Sequence, residues 1–409
     1  MYAEGTFFHG FIPLATTSSH RPVPFHSLGV SQIISYGLLF YAFAQTKAPL
    51  ARHLGVDESA ILAAITGCLI LQGLMMPVVG SWVDKYGALV VMTRGFVIGA
   101  VGLLLMPLVA SLVWFWGCMV LIGIAHAMSS YETAFGAAVQ MDENRSRRNI
   151  SFITFYGGVA SSITWLLLAP LLDIVGLQGA LAVAAAVLLG IAARFHYLAR
   201  TMPHHGGGEQ KPVAPFSWGM LTGDQKRALL TLATSNTLEY VVFSATTLLW
   251  ITWFSIGFGP SVAVLLAAVY GPFQVVGRVL EMTLGHRFDA RKTAVAAFFL
   301  VPVALVLAQS TSLPVVILAM VMFGMGHGIL TVSFGYVTNM YFSAEVYGRA
   351  KGWISGPRGI GTALGPSLGG ALFLAGTDLF FTVMVWTSVA GGLFFFTLLA
   401  VRPGNVKST

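Results

Sequence analysis

Long apolar stretches that contain almost no charged residues are the feature that most constrains what this chain can fold into. A helix of about 20 apolar residues crosses the hydrocarbon layer of a membrane, and stretches of that kind follow one another along the whole sequence. We number them spans 1 to 12 in chain order. They lie near residues 28–48, 60–80, 88–109, 112–139, 150–172, 178–199, 227–256, 262–284, 293–309, 314–340, 352–375 and 379–401.

The composition excludes a water-soluble fold of this size. Only 9% of the 409 residues are charged, whereas soluble domains carry about 25%, and the mean hydropathy is +0.80. In lipid, backbone polar groups must be satisfied within the structure, which leaves helices or closed barrels. Because a barrel would show short alternating segments, we predict an all-α membrane protein with twelve transmembrane helices in two pseudo-symmetric six-helix bundles.

The net charge of +7 could indicate a nucleic-acid ligand, but the positions of Lys and Arg indicate membrane orientation instead. If both termini are cytoplasmic, nearly all of the 22 basic residues fall on the cytoplasmic side, and the outer loops hold only Lys47 and Arg52. We therefore predict a multi-pass protein of the inner (plasma) membrane with cytoplasmic termini and no nucleic-acid partner.

The longest internal loop separates six spans from six and is predicted to be a cytoplasmic linker. Its histidines, His204 and His205, have no further ligand nearby in sequence, and Cys68 and Cys118 lie inside apolar stretches. We therefore predict no metal site, no disulfide and no cofactor. The predicted units are a cytoplasmic tail (1–26), an N-terminal bundle (27–200), the linker (201–225), a C-terminal bundle (226–402) and a second cytoplasmic tail (403–409).

The two halves repeat each other at an offset of about 200 residues. Transporters built from such repeats bind their substrate near the midplane, between the halves. The matched pairs are Gly123-x-x-His126 with Gly324-x-x-His327, Phe135-Gly136 with Phe334-Gly335, Gly80-x-x-x-Asp84 with Gly285-x-x-x-Asp289, and Arg148 with Arg349.

The segment from Gly80 to Gly87, at the end of span 2, reads Gly, three residues, Asp84, Lys85, one residue and Gly. It resembles the signature of the major facilitator superfamily, which implies that fold and a secondary transporter. The resemblance also implies that Asp84, with Gly80, Lys85 and Gly87, holds a cytoplasmic gate against the start of span 11. A carboxylate at a helix N-terminus is favourable by about 0.3–1 kcal/mol. Ala88 and Leu89 depart from the pattern, because basic residues are usual there.

Two further segments resemble the monocarboxylate-transporter branch of that superfamily. They are residues 35–43 of span 1, with Lys47 at its outer end, and residues 271–278 of span 8. The resemblance implies that Lys47 and Arg278 take part in binding a carboxylate and a proton. Gln274 stands where the branch usually has an acidic residue, so the group that handles the proton is expected elsewhere.

Ionisable residues inside a span are costly and usually face a cavity or a partner. Arg278 shares one helical face with Tyr270, Gln274 and Glu281, and its planar guanidinium suits an oxyanion. Two interpretations are open: Arg278 contacts the substrate or the gate, or it pairs with Glu281, which we also assign to the gate.

Four other buried groups are candidates for carrying the proton or contacting the substrate. Glu239, with Asn236 three residues before it, lies near the middle of span 7. Glu132 of span 4 has a depth that suits pairing with Arg358 of span 11, a predicted gate residue. His126 and His327 occupy matching positions in the two halves, and histidine titrates near neutral pH. Each of these groups could instead be a paired or hydrogen-bonded packing residue.

Three features of spans 1 and 11 each allow two interpretations. Tyr36 could contact the substrate or belong to the core, and Lys47 could be a cation at the cavity mouth or an end residue that reaches the interface. The glycines of span 11 match a spacing associated with antiporters on span 5, but small residues at this spacing also let helices pack closely. They are Gly352, Gly361, Gly365, Gly369 and Gly370.

We therefore predict a secondary transporter that works by alternating access and couples the transport of a small organic anion, such as a monocarboxylate, to protons. The alternative is a proton-driven efflux antiporter for a drug or a metalloid oxyanion. The sequence contains no HExxH and no P-loop, which argues against a zinc protease or an ATP-driven pump. The expected partners are the small-molecule substrate, protons and the lipid bilayer, and the fold needs no second subunit.

Overall fold

The computed structural model describes residues 24–202, 216–284 and 287–404. These residues form helices joined by short turns, with no β-strand among them. His204, His205 and Gly285, and parts of the predicted tails and linker, lie outside the described residues. The helices are α1 (Phe25–Tyr36), α2 (Phe43–Leu54), α3 (Glu58–Tyr86), α4 (Ala88–Leu105), α5 (Leu112–Ser129), α6 (Tyr131–Met141), α7 (Ser146–Gly158), α8 (Ala160–Thr201), α9 (Gly223–Phe258), α10 (Pro260–Thr283), α11 (Ala290–Leu307), α12 (Leu313–Tyr341), α13 (Tyr347–Ala375) and α14 (Thr377–Phe396).

These helices accommodate the twelve predicted spans, and three places in the first six spans are broken. Span 1 consists of α1, a π-helical turn at Gly37–Tyr41, and α2. Span 4 consists of α5 and α6, which meet at Ser130. Span 5 is divided at Val159 between α7 and α8. α8 then continues into span 6, and the kink at Gly176, whose φ of 66° is non-helical, lies between spans 5 and 6. The remaining spans are α3 and α4 (spans 2 and 3) and α9 to α14 (spans 7 to 12).

Within the described residues, nine helices are long and apolar enough to cross a membrane, and α9 makes a tenth if its two parts, bent by 48°, form one span. Spans 5 and 11 are helical but do not meet this criterion. Span 5 is divided at Val159 into α7, of 13 residues, and the start of α8. The reason for span 11 is that α13 contains Arg349, Lys351 and Arg358. Such residues are tolerated in helices that face protein or a cavity instead of lipid.

Two hydrophobic cores hold the chain together, one in each half. The first joins buried side chains of α1 to α8, from Leu28 to Leu198, and extends to Val332, Ala344 and Tyr347 of the other half. The second joins side chains of α9 to α14, from Leu221 to Val401. We call α1–α8 the first half and α9–α14 the second half. The exact domain boundaries stay a prediction.

The helices that flank the predicted linker extend into it from both sides. α8 continues to Thr201, and α9 begins at Gly223. The start of α9 is fixed by a capping box, in which the Thr222 hydroxyl accepts from the Gln225 backbone N–H and the Gln225 side chain accepts from the Thr222 backbone N–H. Both exchanges satisfy donors that the first turn of a helix leaves unpaired.

The repeat seen in the sequence is also a repeat in packing. Gly123 of α5 lies against the backbone carbonyl of Cys68 in α3, and Gly324 of α12 lies against the carbonyl of Tyr270 in α10. A Cβ at either glycine would collide with that oxygen. Span 4 therefore packs on span 2 as span 10 packs on span 8, and each contact depends on a glycine.

The halves meet mainly where α3 runs beside α13, and glycines set the distance there. A Cβ at Gly352 would strike the backbone of Met76. Further along α13, Gly361, Gly365 and Gly369 lie against α9, and nothing lies within 4 Å of a Cβ at Gly370. Four of these five glycines thus lie in close helix contacts, as the packing interpretation of the span 11 pattern predicts.

Candidate functional site

One end of the molecule, which we call the basic end, is where α3 turns into α4 at Gly87, and there Asp84 joins the two halves. Its Oδ1 accepts a hydrogen bond from the Gly348 N–H at 2.7 Å, and its Oδ2 accepts from the N–H and the Nε of Arg349 at 2.9 and 2.7 Å. N–H groups in the first turn of a helix lack intrahelical partners, and the helix dipole favours a carboxylate there. The structure therefore puts the Asp84 side chain, which is fully buried, against the start of α13.

The other signature residues surround this contact. Gly80 lies against the backbone of Gly348, and a Cβ there would collide with it. Gly87 has a φ of 84°, a conformation that favours glycine, and it forms the turn between α3 and α4. Lys85 is exposed, with its ammonium 5.0 Å from the centre of the Tyr86 ring. Two glycines and one carboxylate thus make the contact, and Lys85 lies at its edge.

A second ionic contact crosses between the halves at the basic end. Arg147, at the start of α7, pairs with Glu281 of α10 at 2.5 Å and also donates to the carbonyl of Phe288 at 3.0 Å. The interpretation that Glu281 pairs with Arg278 is therefore wrong. Although Glu281 and Arg278 share one helix, the partner of Glu281 comes from the other half. Arg147 lies just before residue 150, where the predicted span 5 begins.

Arg278 also reaches across to the first half, by hydrogen bonds instead of an ion pair. Its Nη1 donates to the carbonyl of Thr154 in α7 at 2.7 Å, and its Nη2 donates to Gln274 at 3.4 Å. Gly158 leaves the room for this, since a Cβ there would lie 2.8 Å from Nη1. Arg278 is thus a buried cation with no carboxylate partner among the described residues.

The break between α5 and α6 places a carboxylate at the centre of the molecule. Ser130 is extended, with ψ at 176°, and α1 holds the neighbouring residue because the Ser35 and Ser129 hydroxyls lie 2.7 Å apart. α6 starts anew at Tyr131, so Glu132 falls in its first turn, where the helix dipole favours a negative charge. The Ser130 hydroxyl donates to Glu132 Oε2 at 2.8 Å.

Glu132 and Arg358 form a buried ion pair between the halves. Glu132 Oε1 and Arg358 Nη1 lie 2.8 Å apart, and the Arg358 guanidinium lies 4.6 Å from the centre of the Tyr240 ring. Removing one partner of a buried pair leaves an uncompensated charge and costs about 3–5 kcal/mol. The pair therefore ties α6 to α13 in this conformation.

Lys351 is a central residue that the sequence analysis did not identify. The predicted span 11 begins near residue 352, just after Lys351, but α13 begins at Tyr347, so Lys351 lies inside the helix and is only 2% exposed. Its ammonium donates to the carbonyl of Phe334 at 3.1 Å. The signal in the sequence that could have identified Lys351 is a helical pattern for span 11 that extends back to Tyr347.

A small cavity, close in size to one water molecule, lies between these groups. The side chain of Asn236 in α9 is buried, and neither its amide nitrogen nor its amide oxygen has a hydrogen-bond partner in the structure. The lining residues come from both halves and are Tyr131, Glu132, Phe135, Asn236, Tyr240, Thr331, Phe334, Lys351 and Arg358.

Glu239 and His327, two independent candidates in the sequence, lie together in the second half. His327 Nδ1 and Glu239 Oε1 are 2.5 Å apart, and both side chains are buried. The imidazole stacks on the ring of Phe243, with centroids 3.5 Å apart and planes 5° apart. The other oxygen of Glu239 has no hydrogen-bond partner in the structure. A carboxylate next to an imidazole can hold and release a proton.

His126, the counterpart of His327, has aromatic neighbours instead. Neither of its ring nitrogens has a hydrogen-bond partner in the structure. The Tyr36 ring meets it edge-on at 4.9 Å, and the Phe40 ring stacks at 6.2 Å. Tyr36 and His126 are thus neighbours, and they lie beside the π-helical turn of span 1.

Two predicted substrate contacts lie away from the central charges. Lys47 is partly exposed at the end opposite the basic end and lies 3.5 Å from Glu58. Tyr270 packs against the rings of Phe243 and Phe323, at 6.1 and 5.9 Å. Potential metal ligands do not gather in threes anywhere in residues 24–202, 216–284 and 287–404.

The sequence model of the Major Facilitator Superfamily matches residues 28–280 and 247–409 of this chain. Together these two matches cover nearly all of it. No curated protein sequence matches at a significant level.

Solved transporter structures share the fold. The human organic anion transporter MFSD10 (TETRAN) is 16% identical, with a TM-score of 0.73 over 92% of this chain and 100% of that chain. A bacterial homologue of the iron transporter ferroportin in the outward-facing state is 14% identical, with a TM-score of 0.73 over 92% and 99%. The proton:xylose symporter XylE is 13% identical, with a TM-score of 0.66 over 91% and 95%. At these identities the likeness shows the fold alone.

Proposed function

Because the chain belongs to the Major Facilitator Superfamily and is a secondary transporter, not an enzyme, we propose that it carries a small organic anion, such as a monocarboxylate, together with protons. The observation that carries this proposal is the charge at the centre. Arg278 and Lys351 are buried and hydrogen-bond only to neutral oxygens. A buried cation is costly unless a negative charge compensates it, and an anionic substrate would supply that charge.

The proton is assigned to the second half. Glu239 and His327 form a buried acid–imidazole pair, and the second oxygen of Glu239 has no hydrogen-bond partner in the structure. Glu132 is the second candidate, but its oxygens already contact Arg358 and Ser130. We therefore propose the pair of Glu239 and His327 as the proton site.

We also propose that the basic end faces the cytoplasm of the inner (plasma) membrane and that the monomer is the working unit. In that orientation the contacts of Asp84 and Arg147 close the cytoplasmic side. Alternating access would then require both contacts to open. A cysteine at Lys85, which is exposed, should resist a membrane-impermeant thiol reagent added outside intact cells. Labelling from outside would reverse the orientation.

The direct test is uptake into proteoliposomes of a panel of small carboxylates and oxyanions, with and without an inward proton gradient. The wild type should take up at least one anion faster with the gradient. Arg278→Gln should lower this uptake about tenfold or more, because a lost charged hydrogen bond costs about 1.5–3 kcal/mol and 1.4 kcal/mol is tenfold. The matched control is Arg194→Gln, which removes an exposed arginine of α8.

Absence of flux for every anion would contradict the proposal. The proton-driven efflux antiporter would then be tested with cationic and neutral compounds. Gradient-driven flux that survives Arg278→Gln would keep the anion transporter and reduce Arg278 to a residue that joins α10 to α7.

A further inference from the structure

The small central cavity has hydrogen-bonding capacity that the protein itself does not use. Both polar atoms of Asn236 and the Nε of Arg358 lack partners, and both side chains are buried. Lys351 uses one of its three donors, on the carbonyl of Phe334. Buried polar atoms without partners are uncommon and costly, so this group is suited to an oxygen-rich ligand.

We propose that this cavity is the anion subsite, that the carboxylate of the substrate binds between Arg358, Lys351 and Asn236, and that Glu132 occupies Arg358 only until the substrate displaces it. The inference rests on the proposed anion transport and locates its binding site. The substrate group is identified by chemistry: two cationic donors and one amide match the two oxygens of a carboxylate.

Arg278, the other buried cation, is less available to a substrate. Its two terminal nitrogens already donate to Thr154 and Gln274, and only its Nε lacks a hydrogen-bond partner in the structure. Arg358, in contrast, donates to a carboxylate that belongs to the protein. A substrate carboxylate can take the place of Glu132 on this guanidinium, so that Arg358 keeps an anionic partner.

Glu132 is built to be displaced. One of its oxygens contacts Arg358 at 2.8 Å, and the other accepts from Ser130 at 2.8 Å. When Arg358 is released, the Ser130 hydroxyl and the N-terminus of α6 still hold the Glu132 side chain. Displacement therefore moves one ionic contact without leaving Glu132 unpartnered.

The exchange would also loosen the join between the halves. Glu132 belongs to the first half, whereas Arg358, Lys351 and Asn236 belong to the second. A substrate that takes the place of Glu132 binds three groups of the second half and removes an ion pair that spans both. Binding is thereby linked to separation of the halves at their centre.

The first test uses formate as the smallest carboxylate and measures the unfolding temperature of purified protein. Glu132→Ala empties the position of the competing carboxylate, so formate should raise the unfolding temperature of this variant relative to chloride at equal ionic strength. Formamide, the neutral analogue, should not. The formate effect should vanish in Glu132→Ala combined with Lys351→Gln. No stabilisation of Glu132→Ala by formate would overturn the subsite.

The second test keeps Glu132 and measures the KM of the transported anion in proteoliposomes. Lys351→Gln and Asn236→Ala should each raise KM about tenfold, the effect of about 1.4 kcal/mol, and Arg194→Gln should leave it unchanged. Anion uptake with unchanged KM in both variants would overturn the inference and leave the proposed function standing. Stabilisation by formate in a protein that transports no anion would do the reverse: the subsite would stand and the transport proposal would fall.

Discussion

The two halves place a histidine at the same point of the repeat and surround it differently. His327 is bonded to Glu239 and stacked on Phe243. His126 has the rings of Tyr36 and Phe40 around it and no hydrogen-bond partner in the structure. The repeat therefore preserves the position of the histidine but not its chemistry.

The scaffold around these histidines, in contrast, is nearly the same in both halves. Gly123 and Gly324 each sit three residues before the histidine and bring the helix against a backbone carbonyl, of Cys68 and of Tyr270. Packing of this kind depends on backbone shape, so both copies of a repeat can keep it. An ionisable group, in contrast, depends on one specific partner. The second half supplies such a partner, Glu239, for its histidine.

The basic end shows the same contrast. Asp84 bonds across the halves to the start of α13, whereas Asp289, its counterpart in the repeat, accepts from Arg291 of its own helix. The crossing contact on the other side is made by Arg147 and Glu281. The two contacts that join the halves at the basic end therefore use carboxylates, Asp84 and Glu281, whose positions do not correspond in the repeat.

The largest expected effect concerns the surroundings of the two histidines, the carboxylate beside His327 and the aromatic rings around His126. Glu239→Gln removes a group that can change its charge, so proton-driven uptake should fall about tenfold or more, in line with the loss of a charged hydrogen bond of about 1.5–3 kcal/mol. His126→Phe keeps a ring among Tyr36 and Phe40 and should retain most of the uptake. The measurement is the initial rate in proteoliposomes with an imposed gradient. Equal loss in both variants would erase the asymmetry between the halves.

The next effect concerns the two aspartates of the repeat. Asp84→Asn loses a charged acceptor of three hydrogen bonds, which should destabilise the closed basic end by about 1.5–3 kcal/mol. Asp289→Asn should change the opening little, because asparagine is an equally good helix cap and the ion pair that is lost, with Arg291, lies within the second half. Distances between spin labels at Arg194 and Arg227, both exposed and in different halves, report the opening.

Asp84→Asn should shift those distances to longer values, and Asp289→Asn should match the parent. Cys68 and Cys118 are replaced in every variant so that only the two label sites react. A shift of equal size in both variants would mean that Asp289 also holds the halves together.

The smallest effect tests the scaffold. Gly123→Ala and Gly324→Ala should each lower the free energy of unfolding by about 1–3 kcal/mol, since a methyl group is forced against a backbone oxygen. Gly117→Ala is the matched control in α5, because nothing lies within 4 Å of a Cβ there. Equilibrium denaturation in detergent measures all three. If the free energy of unfolding fell in only one of these two variants, the symmetric packing would not contribute equally to the stability of the two halves.

Much of the fold followed from the sequence, because apolar length and the positions of basic residues are local properties. The contact of Asp84 with α13 and that of Glu132 with Arg358 were also anticipated, one by the family resemblance and one by similar depth. Two opposite charges at one depth in a low-dielectric interior have few alternatives to each other.

The remaining site residues depended on details that the sequence leaves open. Lys351 was missed because a lysine near a predicted span end was read as a loop residue, although α13 starts at Tyr347. Successive helix residues point about 100° apart, since a turn takes 3.6 residues, so the sequence did not decide whether Arg147 or Arg148 faces the other half. The pairing of Glu281 was misjudged because its partner comes from α7 and not from its own helix.

The central claim, that an anion and a proton move together, is tested most directly by the pH inside proteoliposomes that hold a trapped pH indicator. Adding a transported anion outside should acidify the lumen faster than in protein-free liposomes, and Glu239→Gln should abolish the difference. Anion uptake without acidification beyond the protein-free rate, or with alkalinisation of the lumen, would contradict the account.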